Sequence, residues 1–268
     1  MIDIHSHILP GLDDGAKDME TALEMAQMAV DDGITKMIAT PHLFRGGYPE
    51  GGIDGIKKAR EKFIRALEKN SIPLEILPGA EVHISHNLVN EIKNHRRSLV
   101  LNKSRYMFIE FPSEHVFSGV KDLIFKLKTM GIVPIIAHPE RNSVLRHNPE
   151  YLYDLLHMGV LTQVNQGSFS GVYGSRVQEA VFRFLELGYV HFLATDCHNT
   201  WVIQPKLSGA VRNAEKVIGE KNARALVEDN PLAVVEDKEI PYIPEPKKAE
   251  KKKKSLKIRL PSFIKGKE

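Results

Sequence analysis

The amino-acid sequence predicts an α/β protein whose seven parallel strands close into a barrel, and three observations point to this fold. Seven short apolar segments lack the polar alternation of half-exposed strands, which is typical of strands buried on both faces. A helical stretch follows each apolar segment before the next one begins. The spacing of these units is short and regular, which favours closure of the sheet.

The predicted elements follow one another along residues 1–235. The strands are residues 2–5, 34–40, 74–82, 106–111, 132–137, 160–165 and 189–195. The helices lie near residues 22–29, 52–69, 85–95, 116–130, 148–158, 174–187 and 206–228. In the first helix, alanines and a methionine recur at the i, i+3, i+4, i+7 spacing of an amphipathic helix. Glycines, which relieve the left-handed conformation at a helix end, close four helical stretches directly before a strand: Gly33, Gly131, Gly159 and Gly188.

An open, doubly wound parallel sheet is the alternative arrangement of the same units. Such sheets commonly carry a phosphate-cradling loop of the G-x-G-x-x-G or Walker A type. Neither pattern occurs in this sequence. The barrel is therefore the favoured fold.

Charge is distributed unevenly along the 268 residues. The whole chain has 37 basic and 34 acidic residues, a net charge of +3. Residues 245–268 hold ten basic and three acidic residues, a net +7, so residues 1–244 carry a net −4. A Pro- and charge-rich stretch begins after residue 235. We therefore expect a barrel domain over residues 1–235 and a linker with a disordered basic tail over residues 236–268.

Composition excludes several classes of protein. No apolar run approaches the roughly 18–20 residues that a membrane-spanning helix needs. The N-terminal residues lack the basic and long apolar regions of a signal peptide. The single cysteine, Cys197, excludes a disulfide framework and fits a reducing compartment. We therefore expect a cytoplasmic protein.

Histidine and carboxylate side chains stand at or just after the ends of six of the seven predicted strands. The carboxyl ends of the strands of a parallel barrel open onto one face, so these residues are expected to converge there. Two pairs, H-S-H and D-C-H, have the two-residue spacing that puts both side chains on one face of a strand. The residues are His5, His7, His42, Glu81, Glu110, His138, Asp196 and His198.

This convergence predicts a metal site. A cysteine-rich structural zinc site is excluded because there is no thiolate cluster. Mixed imidazole and carboxylate ligands suit manganese, iron or zinc. The ligands are too many for one ion, so we expect two or three. Three divalent ions against the four carboxylates of Asp14, Glu81, Glu110 and Asp196 would leave a charge of about +2, which suits a phosphate dianion.

Five ordered motifs, MIDIHSH, TPH, GAE, AHPER and TDCHN, make residues 1–235 resemble the PHP (polymerase and histidinol phosphatase) family. Together with the opening H-S-H-I-L-P-G-L-D-D-G, they are most similar to the bacterial protein-tyrosine phosphatases of capsular and exopolysaccharide gene clusters. The resemblance implies a distorted (β/α)7, TIM-like barrel with a trinuclear centre, often of Mn²⁺, with iron or zinc as alternatives. It also implies a substrate, the phosphorylated tyrosine-rich tail of a membrane-linked bacterial tyrosine kinase.

The resemblance also implies a ligand set. The ions would take His5, His7, Glu81 and Asp196 for the first; Glu81, Glu110 and His138 for the second; and Asp14, His42 and His198 for the third. Asp13 stands beside Asp14, so either aspartate could be the ligand, and the D-D-G sequence is also typical of a turn. Many other members of the family have histidine at the positions of Asp14 and Glu110. The carboxylates here favour the tyrosine-phosphatase branch over histidinol phosphatase.

Three arginines are predicted to bind substrate. Arg141, in H-P-E-R, is the candidate phosphate clamp because its fork can pair with two phosphoryl oxygens. An ion pair with a neighbouring carboxylate such as Glu140 is the alternative. Arg45 and Arg176 follow the second and sixth strands and are further candidates.

The predicted chemistry is direct attack of a metal-activated water on phosphorus, without a phospho-cysteine intermediate. A cysteine-dependent tyrosine phosphatase needs a Cys-x5-Arg loop, and Ile203 stands six positions after Cys197. His42 and His198 are candidate catalytic proton relays wherever they are not bound to metal. Alternative functions are a histidinol-phosphatase-like small-molecule phosphatase and a non-catalytic, metal-binding regulator of a membrane kinase.

The basic tail has more than one interpretation. It can be a solvated segment, or it can bind the anionic inner face of a membrane, where each basic residue contributes about 1 kcal/mol. The second interpretation would make the protein peripheral at the membrane. No nucleic-acid partner is expected, since the net positive charge lies in the tail and the rest of the chain has a net negative charge. The sequence leaves the oligomeric state open.

Overall fold

The computed structural model describes residues 1–47, 49, 52–85 and 87–249. Residues 250–268, which carry most of the predicted basic tail, lie outside the described residues. The described strands are β1 Ile2–Ser6, β2 Lys36–Ala39, β3 His42–Leu43, β4 Glu75–Pro78, β5 Glu81–His83, β6 Tyr106–Glu110, β7 Val133–Ala137, β8 Leu161–Asn165 and β9 Phe192–Ala194.

Helices alternate with these strands, as the sequence predicts. They are α1 Met19–Asp31, α2 Gly52–Lys69, α3 Leu88–Leu99, α4 Val120–Thr129, α5 Ser143–His147, α6 Pro149–His157, α7 Gln166–Phe169, α8 Ser175–Glu186, α9 Ser208–Ile218, α10 Glu220–Ala225 and α11 Asp229–Val235. Two short 3₁₀ helices span Leu101–Lys103 and Pro139–Arg141. The short helices α5, α7 and α11 are absent from the prediction. None of the helices in the described part of the chain is long and apolar enough to cross a membrane.

The seven predicted strands are confirmed, and two of them are interrupted. The second, predicted to end at residue 40, resumes after Thr40 and Pro41 as β3, and the third is split into β4 and β5 at Gly79 and Ala80. Proline has no N–H to donate to a ladder, which explains the first break. Hydrogen bonds still cross both breaks, from Thr40 N to the Ser6 carbonyl (2.8 Å) and from Glu81 N to the Pro41 carbonyl (3.1 Å).

The strands form one closed surface. One sheet has the order β1-β2-β4, the other β3-β5-β6-β7-β8-β9, and each of these pairings is parallel. The two sheets share the interrupted strands on one side. On the other, β1 meets the chain after β9, where Asp196 N donates to the His5 carbonyl (2.9 Å) and His7 N to the Cys197 carbonyl (3.0 Å). The barrel prediction is therefore confirmed, and the alternative of an open sheet is wrong.

The interior of the barrel is apolar along the strands and polar at their carboxyl ends. One buried cluster takes alternate residues of neighbouring strands, including Phe108, Ile135, Leu161 and Phe192. Residues two positions further along a strand share a face, so the same faces carry polar side chains toward the carboxyl ends. Glu110 follows Phe108 in this way. The apolar layer therefore supports a polar layer at the mouth of the barrel.

Part of the predicted linker packs against the barrel. Ile240 and Ala249 are buried. Asn230 holds the segment at Tyr242, where its amide donates to the Tyr242 carbonyl (2.7 Å) and accepts from Tyr242 N (2.9 Å). Further along, Lys247 N donates to the Leu187 carbonyl (2.8 Å). Residues 236–249 are thus fastened to the outside of the barrel, and the domain boundary after residue 235 stays a prediction.

Candidate metal centre

The mouth of the barrel brings all nine predicted ligands into overlapping groups. In each group, one donor atom per residue lies within 4.8 Å of every other donor atom. The groups are His5, His7 and Glu81; His5, His138 and Asp196; His42, Glu81 and Glu110; and His7, Asp14, His42 and His198. The predicted convergence is therefore observed, and the assignment of ligands to individual ions stays a proposal.

The first predicted set has the spacing of metal ligands. Asp196 Oδ1 lies 3.3 Å from His5 Nε2 and 3.2 Å from His7 Nε2. The Glu81 oxygens lie 3.5 and 3.4 Å from the same two nitrogens. Donors at about 2.1 Å from one ion are separated by about 3.0 Å in octahedral and about 3.4 Å in tetrahedral geometry. Glu81 and Asp196 therefore each lie at about ligand spacing from both histidines.

Hydrogen bonds at Nδ1 orient the rings of three histidines. His5 Nδ1 lies 2.8 Å from Gln163 Oε1, His7 Nδ1 2.8 Å from Asp13 Oδ2, and His198 Nδ1 2.7 Å from the Asp196 carbonyl. Each acceptor favours a proton on Nδ1 and a lone pair on Nε2, the usual arrangement of a metal-binding histidine.

The buried donor atoms provide a test of whether the residues fit a metal. Within the described ranges, Nε2 of His5 and Nε2 of His7 form no hydrogen bond of good geometry, although both atoms are fully buried. Burying such atoms without a partner is costly. Divalent ions at the mouth would satisfy them, so the donor set fits the predicted metal centre.

Glu81 is the carboxylate that two of the four groups share. Its oxygens lie 2.8 Å from His138 Nε2 and 2.8 Å from His42 Nδ1. Glu110 Oε2 lies 3.7 Å from the same nitrogen, His42 Nδ1. The second predicted set, Glu81 with Glu110 and His138, is therefore distributed over two of the observed groups.

The two neighbouring aspartates have different positions. Asp14 Oδ1 lies 3.3 Å from Nε2 of both His42 and His198, so Asp14 faces the third group. Asp13 instead binds His7 and accepts from the backbone N–H of His42 (3.1 Å) and Gly15 (3.0 Å). The geometry favours Asp14 as the ligand and gives Asp13 the task of orienting His7.

Two predicted ligands adopt an unusual backbone conformation. His138, directly after β7, has a φ of 33°, and Asp196, two residues after the end of β9, has a φ of 51°. Non-glycine residues rarely adopt this left-handed region, and when they do, they cluster at functional sites. The strain turns both side chains into the mouth rather than along the strand.

Charge pairing shifts the pKa values of the cluster strongly. Burial alone would raise the pKa of Glu81, but His5, His138 and His42 around it hold the pKa well below its usual range. Burial likewise opposes the charge on His42, yet Asp14 and Glu81 raise its pKa to about 9. Without metal, protons on the imidazoles supply the positive charge that the carboxylates need.

Arg141 lies at the edge of this cluster. Its Nη1 donates to Asp196 Oδ2 (2.9 Å), and its guanidinium carbon lies 4.5 Å from the centre of the Tyr173 ring. The alternative partner, Glu140, is buried and accepts from Asn165 N (2.8 Å) and from the Ser168 hydroxyl (2.6 Å). Arg141 therefore does pair with a carboxylate, Asp196 and not Glu140, and the phosphate-clamp role stays a prediction.

The other two predicted arginines differ in position. Arg45 Nη1 lies 3.4 Å from Glu110 Oε1, beside the cluster. Arg176 is exposed in the first turn of α8, where it lines a groove with Arg146 and Arg183. That groove contains none of the nine predicted ligands. Binding of substrate by Arg45 and Arg176 stays a prediction.

Some contacts of the site have no clear signal in the sequence. His83 Nδ1 lies 3.2 Å from Glu110 Oε2, although its position after Glu81 favours a surface role. The stacking of Tyr173 on Arg141 is equally unsignalled, apart from the two glycines that flank it. Cys197 is buried, and burial raises the pKa of its thiol. Trp201 is 67% exposed, so it is not part of the core.

Comparisons with known proteins agree with this site. The family described as "Capsular polysaccharide synthesis, CpsB/CapC" matches residues 1–236. Tyrosine-protein phosphatase YwqE of Bacillus subtilis is 38% identical over 232 residues, 87% of this chain and 91% of that protein. Tyrosine-protein phosphatase CpsB of Streptococcus pneumoniae is 30% identical over 247 residues, 88% of this chain and 99% of that protein.

A solved structure extends the likeness to the whole barrel. It is described as one of the "crystal structures of YwqE from Bacillus subtilis and CpsB from Streptococcus pneumoniae, unique metal-dependent tyrosine phosphatases". It matches with a TM-score of 0.87 at 37% identity, and the match covers 93% of this chain and 100% of that one. The resemblance stated from the five motifs is confirmed: the chain belongs to the CpsB/CapC family of capsular polysaccharide synthesis.

Proposed function

We propose that this protein is a metal-dependent protein-tyrosine phosphatase, a phosphoric monoester hydrolase that does not use its cysteine. The observation that carries the proposal is the convergence of five histidines and four carboxylates at one mouth, where the buried Nε2 atoms of His5 and His7 face carboxylate oxygens at 3.2–3.5 Å. The relatives named tyrosine-protein phosphatases support the same activity.

The residues at the mouth suggest how the reaction proceeds. Divalent ions in such a donor set lower the pKa of water and offset the charge of a phosphate. Arg141 can present two N–H groups to the phosphoryl oxygens in a bidentate pair. The tyrosine hydroxyl has a pKa of about 10, so a phenolate leaving group needs less help from a general acid than an alkoxide leaving group does. The proton-relay roles of His42 and His198 belong to this proposal.

Manganese is the proposed metal, as three divalent ions, with iron or zinc as alternatives. Imidazole and carboxylate donors suit all three metals. The four carboxylates Asp14, Glu81, Glu110 and Asp196 add hard oxygen ligands, which favour manganese over a softer, nitrogen- and sulfur-seeking ion.

The proposed substrate is the phosphorylated tyrosine-rich tail of a bacterial tyrosine kinase that controls capsule or exopolysaccharide synthesis. Membership of a capsular polysaccharide family supports this choice. A cytoplasmic location, peripheral at the inner face of the membrane through residues 250–268, would bring the enzyme to a membrane-linked kinase. Binding of the full chain to vesicles with and without anionic lipid tests the proposed membrane contact of residues 250–268 separately.

The activity is tested on the full chain loaded with Mn²⁺, Fe²⁺ or Zn²⁺. Phosphotyrosine peptides, p-nitrophenyl phosphate and histidinol phosphate are compared by kcat/KM, with His138→Ala as the variant that lacks a proposed ligand. We expect phosphotyrosine turnover that chelators abolish and that His138→Ala lowers. Preferred hydrolysis of histidinol phosphate would indicate a small-molecule phosphatase. Metal-loaded protein that turns over none of the substrates would indicate a regulator.

A further inference from the structure

The guanidinium of Arg141 is held between two partners of different kinds. One is the Asp196 carboxylate, 2.9 Å from Nη1, and the other is the face of the Tyr173 ring, 4.5 Å from the guanidinium carbon. Asp196 is also a proposed metal ligand, so its oxygens are shared with the centre. The ring is the partner that metal binding leaves untouched.

The loop around Tyr173 has the geometry needed to present the ring. Gly171 and Gly174 flank it with φ of 78° and 89°, values that favour glycine, and Gly174 N donates to the Gly171 carbonyl (2.9 Å). Val172 N donates to the Gly167 carbonyl (3.1 Å). A Cβ on Gly167 would lie 3.2 Å from a Tyr173 ring carbon. The ring therefore packs between the backbone of α7 and the guanidinium.

The ring itself, and not the hydroxyl, makes the contact with Arg141. Within the described ranges the buried Tyr173 hydroxyl makes no hydrogen bond of good geometry, and its polar neighbour is the Asn165 side chain. A guanidinium over an aromatic face is attracted by the ring quadrupole, more strongly when both are shielded from water. A long arginine side chain held in this way loses less freedom when it binds a phosphate.

We propose that Tyr173 is a positioning residue for phosphate recognition, whose ring face holds the Arg141 guanidinium at the mouth of the barrel. The proposal rests on the proposed function, since it assigns Arg141 to the phosphoryl group. It separates two features of one side chain. The aromatic face is required, and the hydroxyl is dispensable.

The test uses the full, metal-loaded chain with four variants: Tyr173→Phe, Tyr173→Leu, Arg141→Ala and the double variant Tyr173→Leu/Arg141→Ala. Affinity for inorganic phosphate by calorimetry and kcat/KM for phosphotyrosine peptide are both measured. Tyr173→Leu is expected to weaken phosphate binding and lower kcat/KM about tenfold, mainly through KM. Tyr173→Phe should stay within about twofold of wild type. In the Arg141→Ala background, Tyr173→Leu should cost less than about twofold.

A matched control is available in α6. The Tyr151 ring lies under Lys121 at 5.6 Å, so Tyr151→Leu removes the same kind of contact. It should leave phosphate affinity unchanged, and metal content should be equal in all variants.

Three results would overturn the proposal: wild-type phosphate affinity in Tyr173→Leu, equal losses for Tyr173→Leu with and without Arg141, or a loss in Tyr173→Phe as large as in Tyr173→Leu. Absence of phosphotyrosine turnover in the wild type would instead refute the proposed function. The phosphate titration would still decide the role of Tyr173 in that case.

Discussion

Replacement of Gly15 by alanine should disrupt the metal centre although it replaces none of the nine proposed ligands. Gly15 follows the two aspartates in the turn after β1, and its Cα packs directly on the end of that strand. A Cβ there would lie 2.0 Å from the carbonyl oxygen of His7 and 2.5 Å from the His7 Cβ. These neighbours are a backbone oxygen and the Cβ attached to the backbone, so rotation of the His7 side chain cannot move them away.

The size of the effect follows from the distances. Real Cβ atoms essentially never approach other atoms closer than 3.0 Å, so the turn must move by at least about 1 Å relative to His7. Such a shift would break the 2.8 Å contact between Asp13 and His7 and would displace Asp14 from the third group. Misplacement on this scale costs about 100-fold in rate. Overpacking costs about 1–3 kcal/mol of stability, a fall in Tm of about 2–12 °C.

The assay compares Gly15→Ala with Gly209→Ala. Gly209 is exposed in the first turn of α9, and a Cβ there would meet only an Arg212 nitrogen at 3.9 Å. Metal content, kcat/KM on p-nitrophenyl phosphate and thermal unfolding are measured for both. Gly15→Ala should lose bound metal and activity, while Gly209→Ala should match the wild type. Full metal content and activity within twofold for Gly15→Ala would refute the close-packing argument.

Three further predictions concern other parts of the molecule. Cys197→Ala should keep kcat/KM within about threefold, because burial raises the pKa of the thiol, whereas a tenfold loss would revive a role for the cysteine. Asp14→Asn should remove about one ion per chain by metal analysis, whereas Asp13→Asn, which retains an acceptor for His7, should weaken metal binding only about 10–100-fold. Burial lowers the pKa of His191 to about 3, so between about pH 6.5 and pH 3 the unfolded chain binds this proton and the folded chain does not. This one group therefore lowers the stability of the wild type by about 2 kcal/mol at pH 5. His191→Gln should lack that loss in denaturant unfolding at pH 7 and 5, and equal pH slopes would contradict it.

Much of the fold could be predicted because its signals are local. Apolar segments and helix-ending glycines mark seven strand–helix units, and Gly33, Gly131, Gly159 and Gly188 all adopt the expected positive φ. The break at Gly79–Ala80 is less visible, since it depends on a contact between strands. A Cβ on Gly79, for example, would lie 2.6 Å from Ile38, a residue of the neighbouring strand.

The proposed metal ligands could be predicted from the sequence, whereas the residues that orient them could not. The nine proposed ligands stand at strand ends, where the barrel dictates convergence, so topology alone brings them together. Residues that orient them depend on packing across the barrel. Gln163 reaches His5 from β8, Asp13 reaches His7 through a turn, and Tyr173 reaches Arg141 from a separate loop. No sequence spacing encodes these three contacts.

Barrel closure and the metal centre depend on the same hydrogen bonds. The chain after β9 pairs with the end of β1 through Asp196 N to the His5 carbonyl and His7 N to the Cys197 carbonyl. This pairing places the H-S-H segment beside the D-C-H segment, so that the Asp196 carboxylate faces the imidazoles of His5 and His7. Below it, the buried Asp3 carboxylate accepts from Thr195 N (3.1 Å) and the Thr195 hydroxyl (2.5 Å), which joins the same two strands. A divalent ion bound by His5, His7 and Asp196 would therefore bridge the first and last strands. Metal binding would then stabilise the closed barrel in addition to its role in the reaction.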